Sequence, residues 1–377
     1  MSKDAPPTLA VIGLGRIGLP YALLLAKAGY DVAGCDTDPA RVAAIEARAV
    51  ETHEPQVADL LAEATHLEVT TDLGQALVEA SAAFVFVPTS SHADGRYDVS
   101  RVDAVVDGIL SMPRPARLLD LVLSTTLPAG CADGLAARKK PAGIRVSYVP
   151  ELIAQGTIVR DLTRPALVLL GEADEGAGDR IARILSRVTT NAPPLLRMRR
   201  REAELAKMSL NCFLTLKVAF ANQVGDVARR IGADPDVVLS AVGTDPRLGS
   251  AFLGFGFGYG GPCLPRDNRA FAHVAEAAGC DAVLNAAADD ANRRHLDFQV
   301  REAVAAAEEG RPIVIEGVTY KPGTTSLEES QQLAFALALV RIGIPVVIRE
   351  SESVIERLCA AYGDLFVYEA RPFRPIG

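Results

Sequence analysis

Apolar residues along the chain follow two spacings. Short apolar runs predict strands at 9–15, 31–36, 82–87, 118–124, 145–149 and 166–170, and residues three or four apart predict helices at 19–29 and from about 177 to 188. Strands alternating with helices predict a parallel, doubly wound sheet, an α/β fold. Pro193-Pro194 then marks a boundary. Beyond it, Leu205, Met208, Cys212, Phe213, Leu216, Phe220 and Val227 keep helical spacing through a proline-free stretch from about 200 to 230. That stretch predicts one long helix, able to link two domains or to form a dimer core. Another helix starts at Gly232–Asp236, and Phe271, Val274, Ala275 and Ala278 predict one after Asp267. From about Pro312 the pattern is strand 313–317, helix 327–342, strand 344–348, helix 354–362, strand 365–368, a second and smaller α/β domain. The expected divisions are 1–195, 196–305 and 306–377.

Composition narrows the class. With 377 residues, 49% hydrophobic and a mean hydropathy of +0.18, the chain can bury large cores and should split into two or three domains of a soluble globular protein. A net charge of −8 and a pI near 5.3 argue against nucleic acid as the main partner. Arg197, Arg199, Arg200 and Arg201 form a local basic cluster, expected as a solvated helix start, with a phosphate contact as the lesser alternative. Six cysteines stand singly, with no CxxC pair and no histidine cluster, so neither a metal site nor a disulfide framework is signalled and a reducing cytoplasm is expected. The first eight residues are polar and contain proline, so neither a signal peptide nor a membrane span is expected.

Candidate chemistry begins at Gly13-Leu14-Gly15-Arg16-Ile17-Gly18, a GxGxxG that follows a strand and opens a helix, with Asp36 18 residues after Gly18 at the end of the next strand. The glycines let backbone approach a pyrophosphate at a helix N-terminus, and the acid accepts from ribose hydroxyls, so a Rossmann-type NAD site is expected, with Arg41 near the adenosine. An acid there repels the extra phosphate of NADP. Two further strands end in hydroxyl residues, at Thr89 and at Ser124-Thr125-Thr126; by residue type alone both threonines read as helix N-caps. Glu151, beside Pro150, reads as a helix-start carboxylate. Lys207 and Asn211, four apart on the long helix, share a face. Five glycines from Gly254 to Gly261, then Pro262-Cys263-Leu264-Pro265, set one thiol between a loop suited to wrapping a ligand and the start of a helix, whose positive end favours a thiolate. On those residues alone a reactive thiol and a small buried one are equally good readings.

The run from Phe257 to Asp267 resembles the cysteine loop of the nucleotide-sugar dehydrogenases, F-G-x-G-G-x-C-x-P-K-D, with Arg266 in place of lysine. The resemblance extends in order through V-P-T at Thr89, S-T-x-P at Thr126, P-E-L-x-x-Q-G at Glu151 and Gln155, A-E-L-x-K-x-x-x-N at Lys207 and Asn211, D-x-R-x-G at Arg247, and a loop at Lys321. It implies that Cys263 is a covalent nucleophile, Lys207, Asn211, Asp267, Glu151 and Thr126 complete the catalytic set, and Arg247, Phe252, Gly260 and Lys321 touch substrate along with Glu151, Lys207 and Asn211. It also implies that Ile17, Thr89, Thr126, Gln155 and Arg266 lie by the cofactor, and that the long helix is the core of a homodimer in which Arg247 reaches the neighbouring subunit's sugar. The family's second glutamate is here Gln155, its arginine after Lys321 is Glu328, its two aspartates there are Thr325 and Ser326, and the C-terminal domain is short for the family. A charge reversal by a pyrophosphate is expected to weaken binding unless another cation replaces it.

The resemblance thus implies an NAD-binding domain at 1–195, a helical dimerisation domain carrying the catalytic loop at 196–305, and a nucleotide-sugar domain at 306–377. The activity implied is a four-electron, NAD-dependent oxidation of a nucleotide sugar at C6, with UDP-glucose favoured because P-E-L sits nearer the UDP-glucose enzymes than the P-E-R of acetamido-sugar enzymes. Other nucleotide hexoses, a two-electron hydroxyacid dehydrogenase, and a catalytically weak nucleotide-sugar binding protein are the alternatives.

Overall fold

The computed structural model describes residues 7–112, 118–138, 143–308 and 310–373; residues 1–6, on which the expectation of no leader partly rests, and the outer ends of the first and third expected domains lie outside them. Contacts divide the chain into two units, Met1–Lys207 and Met208–Gly377. The Arg200–Arg230 helix gives its first turns to one unit and the rest to the other.

In the first unit the strands are β1 Leu9–Ile12, β2 Val32–Cys35, β3 Leu67–Thr70, β4 Ala82–Val85, β5 Ser90–Ser91, β6 Tyr97–Asp98, β7 Leu119–Leu123, β8 Ile144–Tyr148, β9 Val168–Gly171 and β10 Leu195–Met198. β5 and β6 make a small antiparallel hairpin, and the other eight lie in the order β10-β9-β8-β7-β4-β1-β2-β3. Every pairing in that sheet is parallel except β8 with β9, which meet antiparallel at Tyr148 and Gly171. β1, β4 and β7 are buried at every residue, as strands covered on both faces must be. Leu19, Leu23, Ile181 and Leu185 cover one face, and Val102, Val106, Ile109 and Leu135 the other. Each such side chain contributes about 1.5–3 kcal/mol on burial. From β1 the chain winds outward through β2 to β3, then crosses to β4 and winds the other way. The reversal leaves a crevice at the carboxyl ends of β1 and β4, where open sheets of this kind take ligands.

Pro193-Pro194 leads directly into β10, whose first residues pair with β9, so the sheet runs on to Met198. The basic cluster is absorbed internally: Arg197 pairs with Glu172 and Asp179, Arg199 with Glu202, and Arg200 and Arg201 with Asp133. The helix expected after Asp267 starts earlier, at Leu264, because Pro265 in its first turn needs no acceptor for an N–H it lacks.

The second unit holds the remainder of the long helix, helices Pro235–Gly243, Leu264–Ala277 and Val283–Ala306, and a parallel sheet β11 Ile313–Glu316, β12 Val346–Glu350, β13 Val367–Ala370, with helices Gln331–Arg341 and Glu352–Tyr362. The penultimate helix begins at Gln331, later than the pattern predicts, because the Ser330 hydroxyl accepts from the Leu333 N–H as a cap and Glu329 before it is left-handed at φ 50°. Among the described residues no helix is long and apolar enough to cross a membrane.

Candidate active site

In the first unit the loop after β1 is built for a dinucleotide. A side chain at Gly18 would place its Cβ 1.8 Å from the Gly13 carbonyl oxygen, so only glycine lets the helix start so close to the turn. A Cβ at Gly15 would meet nothing within 4 Å, which leaves the backbone open to a phosphate. Ile17 takes the cap position of the Gly18–Lys27 helix. Asp36 braces the turn: its carboxylate accepts from the Leu14 N–H at 2.7 Å and the Asp38 N–H at 3.0 Å, while the Arg41 Nε donates to the Leu14 carbonyl at 2.6 Å. A carboxylate has about four acceptor sites, so two backbone contacts leave room for ribose hydroxyls. These residues fit a nicotinamide dinucleotide.

Thr89 and Thr126 do not cap helices. The Thr89 hydroxyl donates to the Thr126 carbonyl at 3.1 Å, tying the ends of β4 and β7 together, and the helix after Thr126 begins only at Cys131, with Gly130 as its cap. Glu151 follows β8 in a segment without regular secondary structure, not at a helix start, because the next helix begins at Ile158. Burial pushes its carboxyl up to about 8, and the Lys207 ammonium works against that. Gln155 sits in the turn that follows. Glu54, absent from any motif, holds that turn by accepting from the Gly156 N–H at 2.7 Å. Glu204 does the same for Lys207. Fully buried three residues before it, Glu204 accepts from the Gly130 and Ala132 N–H groups at 2.6 and 2.7 Å and fixes the first turns of the long helix against the loop after Thr126. Burial raises the Glu204 carboxyl to about 7, against those two hydrogen bonds. Its signal is in the sequence, within the A-E-L-x-K stretch and on the buried side of the helix.

In the second unit Cys263 is exposed and occupies the cap position of the Leu264–Ala277 helix. Asp267, in the first turn, is fully buried and accepts from the Asn211 amide at 2.6 Å and the Arg266 Nε at 3.0 Å. The loop before the thiol is fastened residue by residue. Asn222 bonds the Gly256 N–H and the Phe257 carbonyl, Asn292 brackets Tyr259 through its N–H and carbonyl, and His295 and Gln299 both reach the Gly256 carbonyl. Asp226, 2.8 Å from the other ring nitrogen of His295, orients the imidazole. The Lys321 loop lies on the same segment: the Gly261 N–H donates to the Glu328 carbonyl, and a Cβ at Gly260 would stand 2.3 Å from the Glu329 carbonyl oxygen. Thr319 and Thr324 hold the Lys321 carbonyl at 3.1 and 2.8 Å. Two expected residues stay apart from these. Arg247 is exposed and folds back on Asp245 at 2.6 Å, and Phe252 is half-exposed with a left-handed φ of 63°. Among the described residues no group of three or more histidine, cysteine or acidic side chains could hold a metal ion.

A doubly wound sheet with this glycine turn, and a thiol presented on a pinned loop, define a nicotinamide-dependent dehydrogenase. The chain belongs to the UDP-glucose/GDP-mannose dehydrogenase family: residues 7–189 match that family's NAD binding domain and 201–294 its central domain. It is 33% identical to the UDP-glucose 6-dehydrogenase of Pseudomonas aeruginosa over 350 residues, which span 90% of this chain and 77% of that one. The solved structure of a UDP-glucose dehydrogenase from Pyrobaculum islandicum superposes with a TM-score of 0.89 at 30% identity, covering 99% of this chain and 88% of that one. A GDP-mannose 6-dehydrogenase of Pseudomonas syringae is 27% identical across 94% of this chain and 83% of its own length. The protein is therefore an oxidoreductase acting on a nucleotide sugar.

Proposed function

We propose that the protein oxidises UDP-glucose at C6 to UDP-glucuronate with two NAD, through a covalent intermediate on Cys263. The observation that carries this is the exposed thiol at a helix start, preceded by a loop that Asn222, Asn292 and His295 fasten at Gly256 and Tyr259. UDP-glucose is favoured over GDP-mannose by the two relatives of 30% identity or more quoted above. NAD is favoured over NADP by Asp36. Bound NAD supplies the hydride acceptor. Lys207 and Asp267 are the candidates to receive the proton of the C6 hydroxyl. The Cys263 sulfur then adds to the aldehyde carbon, giving a thiohemiacetal that carries a hydride once more; its oxidation yields a thioester, and water releases the acid and returns the thiol. Asn211 and Lys207 stabilise the oxyanions, and Glu151 assists the water. Thr89, Thr126, Gln155 and Arg266 flank the cofactor, and Arg247, Phe252, Gly260 and Lys321 the sugar nucleotide. The six single thiols suit a reducing cytoplasm.

Complete conversion in a panel of UDP-, GDP- and TDP-sugars tests the reading. Two NADH per acid, fastest with UDP-glucose, are expected; one NADH per product points to a two-electron dehydrogenase, and binding without NADH to a sugar-nucleotide binder.

We further propose a homodimer built on the long helix, which exposes Phe213, Phe220 and Val227 at seven-residue intervals, 63, 54 and 55% accessible. Phe220→Glu puts a charge into that stripe and is expected to halve the mass measured by light scattering. An unchanged dimeric mass places the interface elsewhere.

A further inference from the structure

Tyr21 lies in the Gly18–Lys27 helix, its ring 5.1 Å from Phe84 and 4.9 Å from Phe86, and is 2% exposed. Its hydroxyl meets no protein hydrogen-bond partner among the described residues. Buried hydroxyls are seldom left so, because each then bears its full desolvation cost. The same side chain lines a cavity of about 30 Å³ together with Glu151, Asp161 and Thr189, walled by Leu162 and Val188. That volume holds a single water comfortably, and a water needs two or more polar partners. Asp161 is already committed: it accepts from the Ala154 N–H, the Thr157 hydroxyl and Arg160. The Tyr21 hydroxyl, the Glu151 carboxyl and Thr189 remain, and of these only Tyr21 and Glu151 are ionisable.

We propose that a water in this cavity joins the Tyr21 hydroxyl to the Glu151 carboxyl, which makes Tyr21 the positioning residue that sets the protonation state of Glu151. A neutral phenol donates, through the water, to the charged carboxylate and so favours it. Burial and the nearby Glu151 push the Tyr21 phenol well above its ordinary range, so it keeps its proton at working pH. The other ionisable groups facing the pair are Lys207 on the long helix, Asp161 on the Ile158–Thr163 helix, and Tyr30 just after the Gly18–Lys27 helix. Lys207 favours the charged carboxylate, and Asp161 is held by its own donors.

For turnover this rests on the role proposed for Glu151; for protonation it does not, and the test separates the two. The Glu151 carboxyl sits at about 8 when folded, against 4.5 in an unconstrained glutamate. The folded state therefore holds the extra proton in that window, and stability falls as pH rises from 4.5 to 8. Glu151→Gln is expected to remove the Glu151 share of that fall, including all of it between pH 7 and 8, and to leave the share that the raised Glu204 carboxyl contributes up to about pH 7. Tyr21→Phe removes the donor to the charged form, so the fall should continue about one pH unit further, a tenfold change in proton affinity. In the Glu151→Gln background Tyr21→Phe should no longer alter the pH dependence. Melting temperatures of the four full-length proteins from pH 5 to 9 read this without any turnover. If Tyr21→Phe shifts every melting point equally at all pH values, in either direction, the link is overturned. If the melting curves shift as expected while the pH profile of kcat does not, the link to Tyr21 stands and the role of Glu151 in acid release falls.

Discussion

Cys263→Ser is expected to lower formation of the acid by about 10³-fold or more while the protein melts as before. The two side chains are nearly isosteric and the position is exposed, so stability should move by no more than about 0.5 kcal/mol. The chemistry is less forgiving. A thiol is partly ionised near neutral pH and is strongly nucleophilic even so, whereas a serine hydroxyl acts only when a neighbouring base removes its proton. An ester formed by serine would also leave less readily than a thioester. Removal of a covalent nucleophile elsewhere costs up to about 10⁶ in rate, the remaining catalysis coming from binding and oxyanion contacts that stay in place. Acid separated by anion exchange after incubation with UDP-glucose and NAD, beside a melting curve, is the measurement. Undiminished acid from a normally folded serine variant removes Cys263 from the pathway.

Much of the architecture is legible in the sequence for a simple reason. β1, β4 and β7 are continuous apolar runs because the sheet is covered on both faces, and such runs stand out whatever the context. β3 and β10 do not: they lie at the two edges of the sheet, reading L-E-V-T and L-L-R-M with exposed positions, and only pairing with a neighbour makes them strands. The Val283–Ala306 helix escapes for a related cause, since its buried face is supplied mostly by Asn285, Ala288, Asn292 and His295, with Phe298 the one large apolar side chain among its buried residues. The site divides in the same way. Cys263, Asp267, Lys207 and Asn211 sit in dense local motifs, whereas the residues that hold them act over long separations. Asn222 and His295 reach Gly256 from 34 and 39 residues away, Glu204 reaches Gly130 from 74, and Glu54 reaches Gly156 from 102. A single polar residue carries no period, so nothing in the chain before folding marks which backbone group it will meet.

Asp267→Asn should be nearly as costly to turnover as loss of the thiol, and costly to the fold as well. The native carboxylate is fully buried, with one oxygen facing the Asn211 amide and the other the Arg266 guanidinium. An amide there sets donor against donor on at least one side and removes the negative charge that faces Arg266. Removing one member of a buried pair costs about 3–5 kcal/mol, and a general acid–base group is worth about 10²–10⁴ in rate. Two roles predict that loss: Asp267 could take the substrate proton itself, or it could act by holding Asn211. Both oxygens are engaged by side-chain donors, so the second is expected. Then Asn211→Ala alone should reproduce most of the loss in kcat, and the double variant should be within about tenfold of Asp267→Asn, since residues working as one unit do not add. Single-turnover rates of the three variants, taken below their melting points, are the measurement. Losses that multiply in the double variant make Asp267 an independent proton acceptor and leave Asn211 to the oxyanion alone.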